Sequence, residues 1–514
     1  MAFSRTAAAR SGCLFATVDL LIGDVFRNAA RAVPDRAAVA LGDLSLTFQQ
    51  IDRESNKLAR ALSAKGIAVG DRVAVWSGTN LDVVPLFAAL AKLGAVFAPL
   101  NALVGSDEVS GTVRLARPSL LVADAERAAS GASLASQLCI PFAVMGELLE
   151  GARSEDEGDL AVPTLREGDP HVLFFTSGST GNPKGVVISH RVNFLRSHPG
   201  SQLEPRGPMV CPFPLFHMGA WTIALQQWQA RDRVVFLASA DAASICAAVE
   251  QHQATRINGV PAVWRRILEY VDAGGVHDLS SIRLADTGTS ATPLELLESI
   301  ESLFPQAVVR VFYGSTEAGN VASLEHADIR RKPGSCGVPS PSSEVRIGAD
   351  GELMVRGPLL FDGYFGDLEA TTAALVDGWY RTGDLAEVDE SGYLTIVGRA
   401  GDLIRSGGEN VVPGEVEAAL ADHPALAEVA VVGVPDVRWG EEVCAVIVLR
   451  PGSAVPALEE LRAHCSGRIA SFKQPRRLVV ADVLPRTAST QQVQRRMLVA
   501  AVVDNELLTA DRRS

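Results

Sequence analysis

The chain has 514 residues, more than one hydrophobic core accommodates, so two or more domains are expected. Hydrophobic residues make up 47% and charged residues 21%, the balance of a soluble globular enzyme, and no apolar run reaches the length of a membrane-spanning helix. The net charge of −13 disfavours nucleic acid as a partner, so a polyanionic ligand would need local basic groups.

Residues 2–16 carry Arg5 and Arg10 but only a short apolar piece, which fits a loose tail better than a signal peptide. The seven cysteines are scattered and form no CxxC pair, which argues for a reducing cytoplasm and against a disulfide framework or a zinc site. Residues 19–31 read as a helix, 44–47 as a short strand and 49–65 as a second helix. A buried-strand pattern at 72–76, an Ala- and Leu-rich helix at 81–93 and a strand at 95–100 follow. Short apolar strands alternating with helices predict a parallel sheet covered on both faces. Residues 154–159 are an acidic surface loop.

The next stretch is Phe174-Phe175-Thr176-Ser177-Gly178-Ser179-Thr180-Gly181-Asn182-Pro183-Lys184-Gly185. Its glycines let backbone N–H groups converge on an anion, its hydroxyls add donors, and Lys184 adds charge. It is not a Walker A loop, because Pro183 and Gly185 flank the lysine and β-branched residues follow at once. The expected form is strand–loop–strand, a mobile flap over phosphates.

Alternation then resumes: strand 234–237, helix 241–253, strand 256–260, a helix opened by Pro261, a second opened by Pro293, and strand 308–312. From about residue 344 short strands and turns (352–357, 392–397) predict an antiparallel segment. Residues 398–402 are a Gly-punctuated break. Beyond it a small α+β unit is expected, with helices at 413–420 and 458–464 and strands at 428–434 and 443–449.

The phosphate stretch, followed in order by Phe213-Pro214-Leu215-Phe216-His217-Met218-Gly219, Tyr313-Gly314-Ser315-Thr316-Glu317, Trp379-Tyr380-Arg381-Thr382-Gly383-Asp384 and Ser406-Gly407-Gly408-Glu409, resembles the adenylate-forming enzymes: acyl- and aryl-CoA synthetases, luciferases and peptide-synthetase adenylation domains. The resemblance implies an α/β fold in two parts. Residues 1–400 would form a large domain of doubly wound parallel sheets plus a β segment, and residues 401–514 a small mobile α+β domain hinged at Asp402. It implies ATP, Mg2+ and CoA as cosubstrates and cofactor. ATP or AMP would meet Thr176, Ser177, Gly178, Ser179, Thr180, Gly181 and Lys184, then Gly288, Thr289 and Ser290, then Tyr313, Gly314, Thr316 and Glu317, with Asp384 and Arg399 on the ribose. Glu317 would hold Mg2+, which relies on substrate phosphates for its other ligands. His217, Met218, Trp221, Val260 and Gly288 would line the acyl pocket, with Trp221 one helical turn from His217 and limiting acyl length. Gly407, Gly408 and Glu409 would face the CoA thiol. Thr176, Lys184, His217, Glu317 and position 492 would carry the chemistry.

Relatives that activate amino acids carry an acidic residue in the segment aligned with 213–219. This chain has none, which favours a fatty or other uncharged acid. The implied reaction is activation of a carboxylic acid to acyl-AMP and transfer to CoA. Transfer to an acyl carrier protein and a catalytically weak adenylate-binding homologue stand as alternatives, as does a homodimer. The tail departs from the family pattern. Counting back from Val493-Gln494-Arg495-Arg496 puts Gln492 where the family has a lysine and Gln491 where it has a glycine, whereas counting forward from Pro485 gives one extra residue. No lysine follows Lys473. Loss of one charged stabiliser typically costs about 10²–10³ in rate, which leaves Arg495 and Arg496 as the nearest cations to replace it.

Overall fold

The computed structural model describes residues 19–177, 183–202, 204–487 and 492–504. Two large sheets build most of it. In a seven-stranded sheet, Arg72–Trp76, Val96–Leu100, Leu120–Ala123 and Phe142–Val144 run parallel. A nine-stranded sheet has a parallel centre of Met209–Cys211, Val234–Phe236, Arg256–Gly259, Leu284–Gly288 and Val308–Ser315. Helices cover these sheets. Val83–Leu93 is buried at every position and ends on Gly94 in the left-handed region (φ 80°); its sequence is apolar except for Lys92, whose ammonium is paired with Asp52, and suits a helix enclosed on all sides. Helix Phe48–Ala64 opens on a capping box, with Thr47 accepting from the Gln50 N–H and the Gln50 side chain accepting from the Thr47 N–H.

The phosphate stretch folds as expected for strand–loop–strand on both sides of 178–182. Pro170–Ser177 and Pro183–Ser189 pair antiparallel, with Thr176 directly opposite Lys184. Gly185 packs closely there, as a Cβ would lie 3.0 Å from Leu173 Cδ1 and 3.3 Å from Phe365 Cβ and both would have to give a few tenths of an ångström. The short strand Gly363–Tyr364 adds to the outer edge of this hairpin, with Tyr364 opposite Val186.

Residues 101–150, unassigned from sequence, supply helices Ser106–Ala116 and Ala128–Leu138 and two further strands. The strand expected at 308–312 runs on to Ser315 and turns back as Gly319–Leu324. Gly314 allows this, since a Cβ there would lie 2.1 Å from the Gly319 carbonyl oxygen. Short strands Glu344–Ile347, Glu352–Arg356, Trp379–Val388 and Leu394–Arg399 form the antiparallel segment. Residues 404–502 have apolar clusters of their own on both faces of a sheet built on Leu426–Asp436 and Gly440–Leu449.

Candidate active site

Residues named from sequence fall into three bonded groups, joined by others that the fold supplies. The first is the ribose group. Tyr313 Oη donates to Asp384 Oδ2 at 2.6 Å, and Arg399 Nε lies 2.9 Å from Asp384 Oδ1. The Asp384–Arg399 pair is fixed by register, since the two residues face each other across Trp379–Val388 and Leu394–Arg399. Asp384 is 6% exposed, and these two partners satisfy its buried carboxylate oxygens. Burial beside that carboxylate pushes the Tyr313 phenol up, so it remains a donor.

The second group surrounds Glu317. Tyr364 Oη donates to Glu317 Oε1 at 3.1 Å, and Lys184 Nζ stands 4.6 Å above the Tyr364 ring. Under the same loop lies Arg196, 6% exposed, which sequence reasoning did not single out. Its Nη1 donates to the Thr316 carbonyl at 2.9 Å, its Nη2 to the Glu317 carbonyl at 2.8 Å, and its Nε to the Leu359 carbonyl at 2.8 Å. Burial lowers this guanidinium to about 10, so it is charged at neutral pH. A buried cation bonded to three carbonyl oxygens fixes the path of the chain at 316 and 317. Nothing in its spacing marks it; only the fold brings it beneath the loop. Glu317 suits Mg2+, which needs few protein ligands, and no group of three His, Cys, Asp or Glu that could hold another metal occurs among the described residues.

The third group is the tail. Gln492 Nε2 donates to the Thr289 carbonyl at 2.8 Å, joining residues of the small C-terminal unit to the loop after Leu284–Gly288. Thr289 holds φ at +74°, an uncommon value for a residue with a branched Cβ. Gly288 has no room for a side chain, as a Cβ would come 2.3 Å from the Phe312 carbonyl oxygen. Arg495 does not reach this site. Its Nη2 bonds Glu417 Oε1 at 2.6 Å, its Nε donates to the Val431 carbonyl, and its Nη1 lies 3.6 Å from Asp402 Oδ2. Arg496 is exposed on helix Arg495–Val503.

His217 caps helix Met218–Gln229, with Nδ1 accepting from the Gly219 N–H at 3.1 Å. Burial pushes it down to about 4. The neutral ring therefore carries its proton on Nε2 and presents a donor. Met218 follows, its Sδ 3.5 Å from Arg196 Nη1. Trp221 corrects the sequence expectation. It is fully buried, stacked 4.2 Å from Phe87 and edge-on to Phe97, and its Nε1 donates to the Leu215 carbonyl. Helical spacing puts it one turn from His217, but the apolar core beneath takes the indole. Val260 is 3% exposed and packs in the core cluster that contains Trp264. Ser290 is exposed, as are Gly407, Gly408 and Glu409. Gly407 and Gly408, at φ 63° and 87°, make the two-residue turn between Ile404–Ser406 and Glu409–Val411. Gly178, Ser179, Thr180, Gly181 and Gln491 lie outside the described residues, and Ser177 is placed only by its backbone pairing with Pro183.

A cleft of about 420 Å³ between helices Ile22–Ala32 and Val83–Leu93 is lined by Arg27, Arg31, Lys92, Asp24 and Asp159, none of them a site candidate. Its charges pair among themselves and with Asp52.

Comparison with known proteins identifies the family. Residues 26–365 match the AMP-binding enzyme family and residues 415–491 its C-terminal domain. The chain is 36% identical to a feruloyl-CoA synthase from Amycolatopsis sp., over 90% of this chain and 95% of that one. It is 34% identical to an indoleacetate–CoA ligase from Aromatoleum aromaticum, over 88% and 93%. Its fold superposes with a TM-score of 0.82 on o-succinylbenzoate CoA synthetase from Bacillus subtilis, solved with an acyl-adenylate intermediate, at 28% identity over 92% of this chain and 97% of that one. With both family matches in order along one chain, and a tyrosine–aspartate pair, a half-buried glutamate and a tail residue set around one loop cluster, the chain belongs to the AMP-binding enzyme family, in its AMP-forming acyl-CoA synthetase branch, which uses ATP, Mg2+ and CoA.

Proposed function

We propose that the protein activates an uncharged carboxylic acid, aromatic or aliphatic, and passes it to CoA. A carboxylate oxygen attacks the α-phosphorus of ATP, pyrophosphate leaves, and acyl-AMP forms. The CoA sulfur then attacks the acyl carbonyl, loses its proton, and AMP leaves. The observation that carries this reading is the linked set Lys184, Tyr364 and Glu317 beside Tyr313, Asp384 and Arg399. It offers a cation for phosphates, one carboxylate for a metal and one for a ribose diol.

In this reading Thr176, Lys184 and the hydroxyls and glycines of 177–181 hold the β- and γ-phosphates, and Thr316 contacts phosphate as well. Bound Mg2+ on Glu317 would offset phosphate charge. Tyr313 stacks on the adenine, with Gly314 and Gly288, Thr289 and Ser290 around the nucleotide, and Asp384 and Arg399 hold the ribose. His217 acts as a neutral donor at the acyl site, with Met218, Val260 and Gly288 around it. Residues 1–400 and 401–514 move as two parts about Asp402, and in the second step Gly407, Gly408 and Glu409 turn toward the thiol. The lack of an acidic side chain in 213–219 supports an uncharged acid, as do two relatives named for ferulate and indoleacetate. The cysteine pattern supports the cytoplasm as its place of work.

The test is a panel of acids (ferulate, indoleacetate, benzoate, octanoate, palmitate) scored for AMP release with ATP, Mg2+ and CoA. Release with one or more acids is the expected result; no release with any would overturn the reading. Replacing CoA by a carrier domain decides between the two acceptors. The neutral amide of Gln492 favours a second reading, in which conversion of supplied acyl-AMP to thioester far outruns adenylation.

A further inference from the structure

We propose that Tyr364 is a positioning residue that keeps the phosphate-loop lysine and the metal-binding carboxylate apart before nucleotide binds, so that both stay available to Mg·ATP. The proposal rests on the ATP reading above.

The fold puts Tyr364 between them. Its strand pairs antiparallel with Pro183–Ser189, and Val186 is its direct partner. Lys184 is two residues from Val186, on the same face, within diagonal reach of a long side chain. Its ammonium takes the ring face at 4.6 Å, while the phenol at the far end of the ring donates to Glu317 at 3.1 Å. The ring is itself held. Phe361 packs against it at 4.8 Å and 63°, and the Tyr364 N–H donates to Thr371 Oγ1 at 2.9 Å.

An ammonium and a carboxylate in one half-buried crevice attract, and closing on each other would consume the groups that phosphate and metal need. Among the described residues Lys184 makes no ion pair. An aromatic face holds a cation without neutralising it. A phenolic O–H satisfies a carboxylate oxygen without supplying a counter-charge. Arg196 grips the carbonyls of residues 316 and 317, not the Glu317 carboxylate, so the loop is fixed independently of the phenol.

The experiment measures ATP affinity by calorimetry, with and without Mg2+, in wild type, Tyr364→Phe, Tyr364→Leu, and Tyr364→Leu combined with Glu317→Gln. Tyr364→Leu is expected to weaken ATP binding about 10-fold by releasing Lys184 onto Glu317, whereas Tyr364→Phe keeps the ring and most of the affinity. Adding Glu317→Gln to Tyr364→Leu should raise Mg2+-free ATP affinity by a larger factor than the same substitution, measured alongside, gives in wild type, the excess being the rescue. A residue that merely filled space would give no such rescue. Equal affinity in the Leu and Phe variants, or no rescue, overturns the proposal while wild-type ATP binding leaves the ATP reading standing. Wild type that binds no ATP overturns both. Should Tyr364→Leu not fold, Tyr364→Met carries the same expectations.

Discussion

Gln492 donates to the Thr289 carbonyl through a neutral amide, a bond that a lysine ammonium could make while adding a full charge. Gln492→Lys should therefore speed acyl-AMP formation about 10-fold or more and leave the conversion of supplied acyl-AMP to thioester unchanged. Single-turnover assays of each half-reaction check this, with Gln491→Lys as the paired control for the one-residue ambiguity in the tail. No gain from either variant, with rapid adenylation by wild type, would mean another group supplies the charge. Arg495 is unsuited to that part, being engaged with Glu417 and Asp402. Trp221 makes the opposite kind of prediction. Trp221→Ala should cost about 3–5 kcal/mol, read as a lower urea midpoint, and leave the order of preferred acids unchanged. Polar site residues were legible in the sequence because their types at that spacing have few other uses. Trp221 was not, because helical spacing gives a face and cannot tell whether core or cavity lies against it. Arg196 and Tyr364 gave no signal, as both act across more than forty residues of chain.

The first strand of the phosphate hairpin and the helix that follows the hairpin carry a buried histidine pair. His171 lies on Pro170–Ser177 and His190 opens helix His190–Ser197, with ring centroids 4.7 Å apart. Each Nδ1 takes a donor, from the Asn193 amide at 3.0 Å and the Ile22 N–H at 3.2 Å, and among the described residues each Nε2 is buried without a partner. Burial lowers His190 to about 4 and His171 well below its ordinary 6.5. The unfolded chain binds protons below about pH 6.5 that the folded chain refuses until near pH 4, so stability is full above that window and falls with pH through it. His190 alone accounts for about 3 kcal/mol by pH 4. The thermal midpoint should drop from pH 6.5 to pH 4, with proton uptake on unfolding at pH 5.5. A flat midpoint would show that the rings are solvated. Elements themselves were legible where one period ran unbroken, as in Pro413–Leu420, which occupies its expected span. The strand Val308–Ser315 outran its expected end because Tyr313, Gly314 and Ser315 read as a loop, and only the returning strand Gly319–Leu324 makes them a ladder.

Across the whole molecule, the tail and the 400–402 connection are bound to each other. Arg495 stands 3.6 Å from Asp402 while Gln492, three residues earlier, reaches Thr289. A half-exposed pair of this kind is worth about 0–1 kcal/mol. If Asp402 is the pivot, Arg495→Ala should slow adenylation by a factor of up to about 5 and spare thioester formation from acyl-AMP. Glu417→Gln, which removes only the other carboxylate of Arg495, is the control; equal effects would assign the loss to the small unit's own stability. The Gly-punctuated break at 398–402 lies between the two family matches, but the contact of the tail with the large part was not legible, since nothing local relates residue 492 to residue 289. The ribose contact proposed for Arg399 lies three residues before Asp402, on the strand that leads into the connection. Binding equilibria are reciprocal: a nucleotide that prefers one orientation of the small unit must itself be held more tightly in that orientation, by the same factor. AMP retention and rotation would then be one coupled equilibrium, and product escape would be timed by the swing that admits the thiol.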